Sequence, residues 1–344
     1  MHPVVYESSG WRYLQKTLLQ SNVPLYLIYD AGLPKALISY TLNQCPVLKT
    51  AIPLEIPNAE AGKSLMGLKR LWNFWLKHQA TRQSQVVVLG GGALTDAVGL
   101  AAALYKRGLR CSYIPSTLVG MVDAAIGGKT AINYQGLKNS LGLVVLPETV
   151  VIDPFYLSSL SAAQYHDGWI ELCKTALVHS SSLWKKTIRC NSPKTELIQA
   201  VIQVKQKLCE QDINDQGVRQ KLNYGHSLGH ALEAWARKQK KAMSHGAAVG
   251  WGILLENEIA VRMKIMRADS AKEIAQSLKP YLPTFKNLNP KTGDLLKFLK
   301  QDKKNQIANI QMTLLKSPGR ALVGVRVPEA IIRDVLNEFP YVAG

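Results

Sequence analysis

Apolar residues fall into two regimes along this chain. Up to about residue 153, short continuous apolar runs alternate with stretches of helical period; beyond it the helical period dominates. Runs bounded by turn formers read as strands buried on both faces. They cover 24–29, ending at Asp30-Ala31-Gly32, 85–89, leading into Gly90-Gly91-Gly92, 110–115, and 144–152, ending at Asp153-Pro154. Residues 62–77 place Leu65, Leu68, Leu71, Trp72 and Trp75 on one side, as an amphipathic helix does. A second helix follows the glycines through Asp96 to Leu104, and another starts at Ser116-Thr117. Strands alternating with helices predict a parallel sheet. The second regime predicts helices over 163–179, 195–211, 227–238, 247–264, 270–279 and 292–301. Two short strands, 308–315 and 323–327, then precede a last helix beginning at Pro328-Glu329. The expected fold class is α/β: an N-terminal Rossmann-like parallel-sheet domain, 1–157, followed by a mostly α-helical domain, 158–344.

Composition removes several classes of function. At 344 residues the chain has room for two domains. Cys45, Cys111, Cys173, Cys190 and Cys209 are scattered, with no Cys-x-x-Cys pair, which points to reduced thiols in a cytoplasmic protein. The first residues lack a basic segment followed by an apolar core, so no secretory signal is expected. The most apolar stretch, 86–104, is broken by three glycines and Asp96 and reads as strand, turn and helix rather than a membrane span. The formal charge of +18 is spread thinly and comes with no nucleic-acid motif, so it reads as a solvated basic surface.

Candidate chemistry collects at a few places. Strand, glycine turn and helix around Gly91 and Gly92 make a seat for a phosphate, although Thr95 stands where a Gly-x-Gly-x-x-Gly fingerprint needs its last glycine. Gly127-Gly128-Lys129 could bring backbone and ammonium to an anion, or could be a plain turn with a surface lysine. Glu171 and Lys174 share one face of an apolar helix; a carboxylate there is either a metal ligand or half of an ion pair. His226 and His230 share a helical face, and His245 follows beside Gly246. Two imidazoles plus a third group form a plausible zinc cradle. Together these features describe an NAD–metal enzyme acting on a phosphorylated, anionic substrate.

The same residues resemble the 3-dehydroquinate synthases, a family of sugar phosphate cyclases. The likeness runs in order through Glu60…Lys63, Gly90-Gly91-Gly92…Asp96, Arg107-Gly108, Pro115-Ser116-Thr117, Asp123…Gly127-Gly128-Lys129-Thr130, Lys138-Asn139, Glu171…Lys174, Lys205, Arg219…Asn223-Tyr224-Gly225-His226…Gly229-His230, His245-Gly246 and Asp302-Lys303-Lys304. It implies a zinc site (or cobalt) of Glu171, His226 and His245, with His230 a polar partner near the reacting hydroxyls. It implies NAD contacts from Asp30, Glu60, Lys63, Gly91, Gly92, Asp96, Ser116, Thr117 and Ser159, with Asp123, Lys129 and Lys138 beside them. Substrate would meet Asp123, Lys129, Lys138, Asn139, Lys174, Lys205, Arg219, Asn223, His230 and one of Lys303 or Lys304. Of these, His230, Lys174, Lys205, Asp123 and Asn139 are the implied catalytic groups. Arg107 would reach a partner's site in a homodimer, and neither nucleic acid nor membrane is an expected partner.

The implied reaction is conversion of 3-deoxy-arabino-heptulosonate 7-phosphate to 3-dehydroquinate by oxidation, phosphate elimination, re-reduction, ring opening and aldol closure. Several positions depart from the family's habit. Ala247 replaces a glutamate after His-Gly, Ser116 and Ser227 replace threonines, Tyr224 replaces a phenylalanine, Trp169 replaces a small residue, and 212–215 differ from the usual acidic pattern. The departures mark a divergent member, one that could serve a specialised pathway. Related readings are an aminodehydroquinate or inosose-type synthase, a metal–NAD polyol dehydrogenase, and a basic binding protein on a decayed cyclase scaffold.

Overall fold

In the computed structural model the chain is described over residues 2–20, 23–57, 59–190, 193–284, 290–301 and 310–342. It divides into two compact units, Met1–Tyr165 with Lys194–Gln206, and His166–Pro193 with Lys207–Gly344. The sequence expectation was a single cut at 157; here the chain returns to the first unit for one helical segment.

The first unit runs β1 (Val4–Tyr6), α1 (Glu7–Leu19), β2 (Leu25–Asp30), α2 (Lys35–Gln44), β3 (Ile52–Ile56), α3 (Ala59–Gly62), α4 (Leu65–Lys77), β4 (Gln85–Gly90), α5 (Gly92–Leu104), β5 (Arg110–Pro115), β6 (Lys129–Tyr134), β7 (Leu137–Val144) and β8 (Thr149–Ile152). Among the described residues six strands pair in the order β1-β8-β5-β4-β2-β3, every pair parallel. All six residues of β4 are buried, as its unbroken valine–leucine run requires. The chain steps outward from β2 to β3 and returns to β4 on the far side of β2, so the strand order reverses there. Ligands of open parallel sheets bind beyond the carboxyl ends at such a reversal. Asp30 and Gly90 end those two strands.

Two local expectations are corrected and one is extended. The run 144–152 is not one strand: Val144 ends β7, Pro147 intervenes, and only Thr149–Ile152 joins the sheet. The helix expected from Ser116 is cut to a short widened turn at Gly120–Ala124. The glycine turn with surface lysines is there, with Gly127 and Gly128 at φ 95° and 74°, and it leads into an antiparallel hairpin of β6 and β7. Gln135 and Gly136 close it with φ of 46° and 78°, the two left-handed residues that a tight hairpin turn needs.

The second unit begins within α6 (Ala162–His179) and includes α7 (Ser181–Ile188); α8 (Thr195–Gln211) starts in the first unit. Then come α9 (His226–Lys238), α10 (His245–Arg262), α11 (Ala268–Leu278), α12 (Thr292–Gln301), the antiparallel pair β9 (Ile310–Ser317) and β10 (Arg320–Val327), and α13 (Glu329–Val342). Helices α9 and α10 meet through glycine. A Cβ on Gly252 would stand 2.0 Å from the Gly225 carbonyl oxygen and 2.7 Å from the Gly229 nitrogen. Gly225 itself sits at φ 79°, where a side chain would strain the backbone and strike Ile253.

Gly252→Ala should therefore push α10 off the start of α9. Overpacking of this kind costs roughly 1–3 kcal/mol, and the obstacle here is backbone, which cannot rotate away. Chemical denaturation of the variant should show a loss at the upper end of that range; unchanged stability would mean that the two helices do not touch at this point.

Candidate functional site

In the second unit, α6, α9 and α10 each supply part of one cluster. Glu171 projects from the apolar middle of α6 and is completely buried. Ligand-capable atoms of Glu171, His226 and His245 all lie within 4.8 Å of one another. His226 opens α9 and His245 opens α10, so the close packing of those helices brings the two imidazoles together, ring centres 5.5 Å apart.

Each imidazole is held by its other nitrogen. His226 Nδ1 donates to the Tyr224 carbonyl at 3.2 Å, and His245 Nδ1 donates to Glu233 Oε2 at 3.3 Å. Both Nε2 atoms then face Glu171 Oε1, at 3.8 Å from His226 and 3.3 Å from His245. Lys174 Nζ lies 2.5 Å from the other carboxylate oxygen, so the ion pair weighed against a metal ligand exists alongside the cluster rather than instead of it. Burial works to raise the Glu171 pKa, but Lys174 and then the imidazoles overcome it and hold the carboxyl ionised. Burial keeps His226 neutral, well below the usual imidazole range, with Lys174 adding to the effect. Burial opposes charge on His245 as well; Glu171 and Glu233 outweigh it and lift that imidazole to about 10.

This donor set fits a divalent cation. An ionised buried carboxylate and two imidazoles with Nδ1 already committed, one of them to a carboxylate, is the ligand and outer-shell pattern of a three-ligand zinc site. His230 is exposed, its ring centre 5.2 Å from that of His226 and 6.0 Å from that of His245. It stands beside the trio rather than in it.

Sequence reasoning missed three acids that build this place. Glu256, fully buried in α10, accepts from the Gly225 nitrogen at 2.6 Å and the Leu228 nitrogen at 3.2 Å, capping α9 with negative charge. Glu233 orients His245. Asp167 Oδ1 accepts from the Ser244 hydroxyl at 2.5 Å and the Ala247 nitrogen at 3.2 Å, capping α10. Glu233 and Glu256 carried the same signal as Glu171, an acid among apolar helical positions.

Arg219 is buried and donates from Nη1 to the Ile213 carbonyl at 2.9 Å. Asp212 shapes that turn by accepting backbone N–H groups of Gln216, Gly217 and Arg219, which pull its pKa down. Asn223 Nδ2 is 3.5 Å from Asp215 Oδ2. Lys303 and Lys304, with Asp302, lie outside the described residues.

The first unit gathers its own set. At the α5 start, a Cβ on Gly92 would come within 2.6 Å of Ala124, so the turn leaves room only for glycine. Lys63 Nζ meets Asp96 Oδ2 at 2.5 Å. Burial raises Asp96 to about 6 despite that lysine. Lys205, brought back by α8, is buried and lies 2.5 Å from both the Asp123 carbonyl and carboxylate. Asn133 ties Glu60 Oε1, at 3.1 Å, to the Asn139 nitrogen, at 3.0 Å. A cavity of about 320 Å³ lined by Ile56, Ala59, Gly62, Leu71, Leu94 and Val98 adjoins this set and has the apolar walls that suit a flat ring. Asp30 Oδ1 accepts from the Gly32 nitrogen at 2.9 Å. Ser116 is buried after β5, and Thr117 Oγ1 accepts from the Gly120 nitrogen at 3.1 Å. Lys129 and Lys138 are exposed on the hairpin. Ser159 turns its hydroxyl to its own Tyr156 carbonyl at 2.9 Å, and Arg107 is exposed at φ 67°; neither is drawn into the Lys63–Asp96 group.

The architecture is that of sugar phosphate cyclases. It matches 2-epi-5-epi-valiolone synthase from Streptomyces hygroscopicus subsp. jinggangensis 5008, a structure with NAD+ and Zn2+ bound, at a TM-score of 0.84 and 23% identity over 99% of this chain and 97% of that one. It matches 2-deoxy-scyllo-inosose synthase, complexed with carbaglucose-6-phosphate, NAD+ and Co2+, at 0.83 and 22% over 97% and 96%. The 3-dehydroquinate synthase N-terminal family model covers residues 53–167 and the C-terminal one residues 168–305. A 3-dehydroquinate synthase of Dehalococcoides mccartyi strain CBDB1 is 30% identical over 335 residues, 94% of this chain and 89% of that protein. This chain belongs to the 3-dehydroquinate synthase family and is an enzyme of the sugar phosphate cyclase group. Among the described residues no helix is long and apolar enough to cross a membrane.

Because His245 is protonated below about 10 in the metal-free cluster, a cation must displace that proton. Zinc binding near pH 7.5 should release about one proton per chain, and apparent affinity should rise roughly tenfold per pH unit until the imidazole is neutral. Calorimetry in buffers of different ionisation enthalpy reads the proton count. His245→Ala should abolish both the release and stoichiometric binding; binding without proton release would contradict the assigned charge states.

Proposed function

We propose that this enzyme converts 3-deoxy-arabino-heptulosonate 7-phosphate to 3-dehydroquinate with release of phosphate, using NAD and a divalent metal, zinc or cobalt. The observation that carries the reading is the Glu171–His226–His245 cluster with Lys174 beside it, on a chain of this family. The solved neighbours that hold NAD+ with Zn2+ or Co2+ support the choice of cofactors.

When bound, NAD would take and return a hydride, and the metal would polarise the reacting hydroxyl. The chain's own residues would do the rest. Glu171, His226 and His245 would hold the metal. Glu60, Lys63, Asp96 and the Gly91-Gly92 turn would hold the nucleotide. Lys129, Lys174 and Lys205 would neutralise phosphate, and His230, exposed beside the two ligand rings, would hold or pass a proton at a substrate hydroxyl. Arg219 would grip the substrate carboxylate, since its planar fork suits that group. Arg107 would serve a partner's site in a homodimer.

Two outcomes test this. Incubated with NAD, zinc and the heptulosonate phosphate, the protein should release phosphate without accumulating NADH, because the hydride returns within the turnover. Stoichiometric NADH from a simple polyol would favour a dehydrogenase instead.

Arg219→Lys keeps the charge and loses the fork. Charge-assisted bonds contribute roughly 1.5–3 kcal/mol each, so kcat/KM should fall about tenfold or more. Wild-type turnover of sedoheptulose 7-phosphate or glucose 6-phosphate, unaffected by Arg219→Lys, would assign the chain to a cyclase of neutral sugar phosphates.

A further inference from the structure

The metal cluster occupies only the first turns of α9 and α10. Toward its other end α10 borders a separate cavity of about 370 Å³, enclosed with α11 and α13. Its walls are largely apolar, from Trp251, Leu254 and Val261 of α10 to Ala271 and Ala275 of α11 and Val335 of α13. Asn257, only 2% exposed, lines it. The Asn257 Oδ1 accepts from the Tyr224 hydroxyl at 2.5 Å, while its Nδ2 is buried with no acceptor among the described residues. A buried amide N–H left so is unfavourable, so among these residues the Asn257 side chain is held by Tyr224 alone and is free to respond to what fills the cavity beside it.

Charge narrows the ligand. Arg262 is engaged by Glu258 and Glu338, so both acids on the rim are already matched. Lys272 and Lys279, one on either side of Ala275 in α11, line the cavity and have no ion pair among the described residues. An apolar slot lined by a buried amide side chain and flanked by two ammonium groups has the make-up of a small-ligand pocket. Its complement is a flat apolar body bearing a carboxylate.

Tyr224 links this cavity to the cluster. Its hydroxyl donates to Asn257, and its carbonyl accepts from His226 Nδ1 at 3.2 Å. We propose that the α10–α11–α13 cavity is a second ligand site for a one- or two-ring aromatic carboxylate, and that its occupancy reaches His226 through Asn257 and Tyr224. The link to catalysis rests on the proposed role of His226; binding and the response of its ring do not.

The test uses metal-free protein, with benzoate and 2-naphthoate as probes and benzamide as the uncharged control. Calorimetry should find saturable binding of the carboxylates, at least tenfold weaker for benzamide. Ring 15N resonances of His226, assigned with His226→Gln, should shift in step with occupancy. Ala271→Trp, which fills the slot from its half-exposed wall, should abolish binding. Lys272→Glu should weaken it at least fivefold. Tyr224→Phe should preserve binding but lose the His226 shift. Absence of saturable binding, binding that survives Ala271→Trp, or full occupancy with His226 unshifted would each overturn the proposal. A separate zinc titration reports on the metal reading, so failure of one does not pass for failure of the other.

Discussion

Keeping Glu171 ionised at zero exposure is the constraint on which the helical unit is built. An isolated carboxylate taken out of water would recover a proton instead of staying charged. Three separate elements prevent that: Lys174 from the next turn of α6, His226 from the start of α9, and His245 from the start of α10. None could act from a helix placed an ångström or two further off. The glycine contact between α9 and α10 is therefore part of the electrostatics as well as of the packing.

That contact is supported in turn by charge. Gly225 turns left-handed directly before α9, leaving the first N–H groups of the helix pointed at α10, and Glu256 answers them from inside that helix. Removing any of Gly225, Gly252 or Glu256 would disturb the same few ångströms. Position 247 illustrates how tightly this is drawn. The family glutamate is absent there, and Ala247 contributes its backbone nitrogen to Asp167 instead. The helix start is thus secured by a main-chain group, which no substitution other than proline removes.

Much of this could be read from residue order. The buried strands at 24–29 and 85–89 announced themselves as apolar runs, 110–115 by its place between a helix and Ser116-Thr117, and the acid at 171 with the histidines announced a polar centre. What escaped has physical reasons. β1 is three residues long and β3 carries a proline and a glutamate, so neither offers a period to detect. β7 is almost wholly exposed, and its leucines and valines mimic a buried run, which blurred it into β8. The return of 194–206 to the first unit cannot be seen in a helical period, because a helix looks alike whichever unit it packs in. Glu233 and Glu256 were legible in principle, yet a single acid in a helix is ordinary until its neighbours across space are known.

The two units keep their charged groups in different conditions. In the helical unit Arg219 Nη1 and His226 Nδ1 are each tethered to a main-chain carbonyl, which fixes how the two side chains are aimed. Such groups are preorganised, because the tether has already fixed their orientation before a ligand arrives. In the sheet unit Lys63 and Lys205 are matched by Asp96 and Asp123 at 2.5 Å. An anion arriving there must share each lysine with a carboxylate or displace it, and the local repulsion between Asp96 and Asp123 grows if a lysine is drawn away. Asp96, held near 6 by burial, is the group able to answer by taking up a proton. Anion binding at the sheet unit is thereby coupled to the protonation of an aspartate.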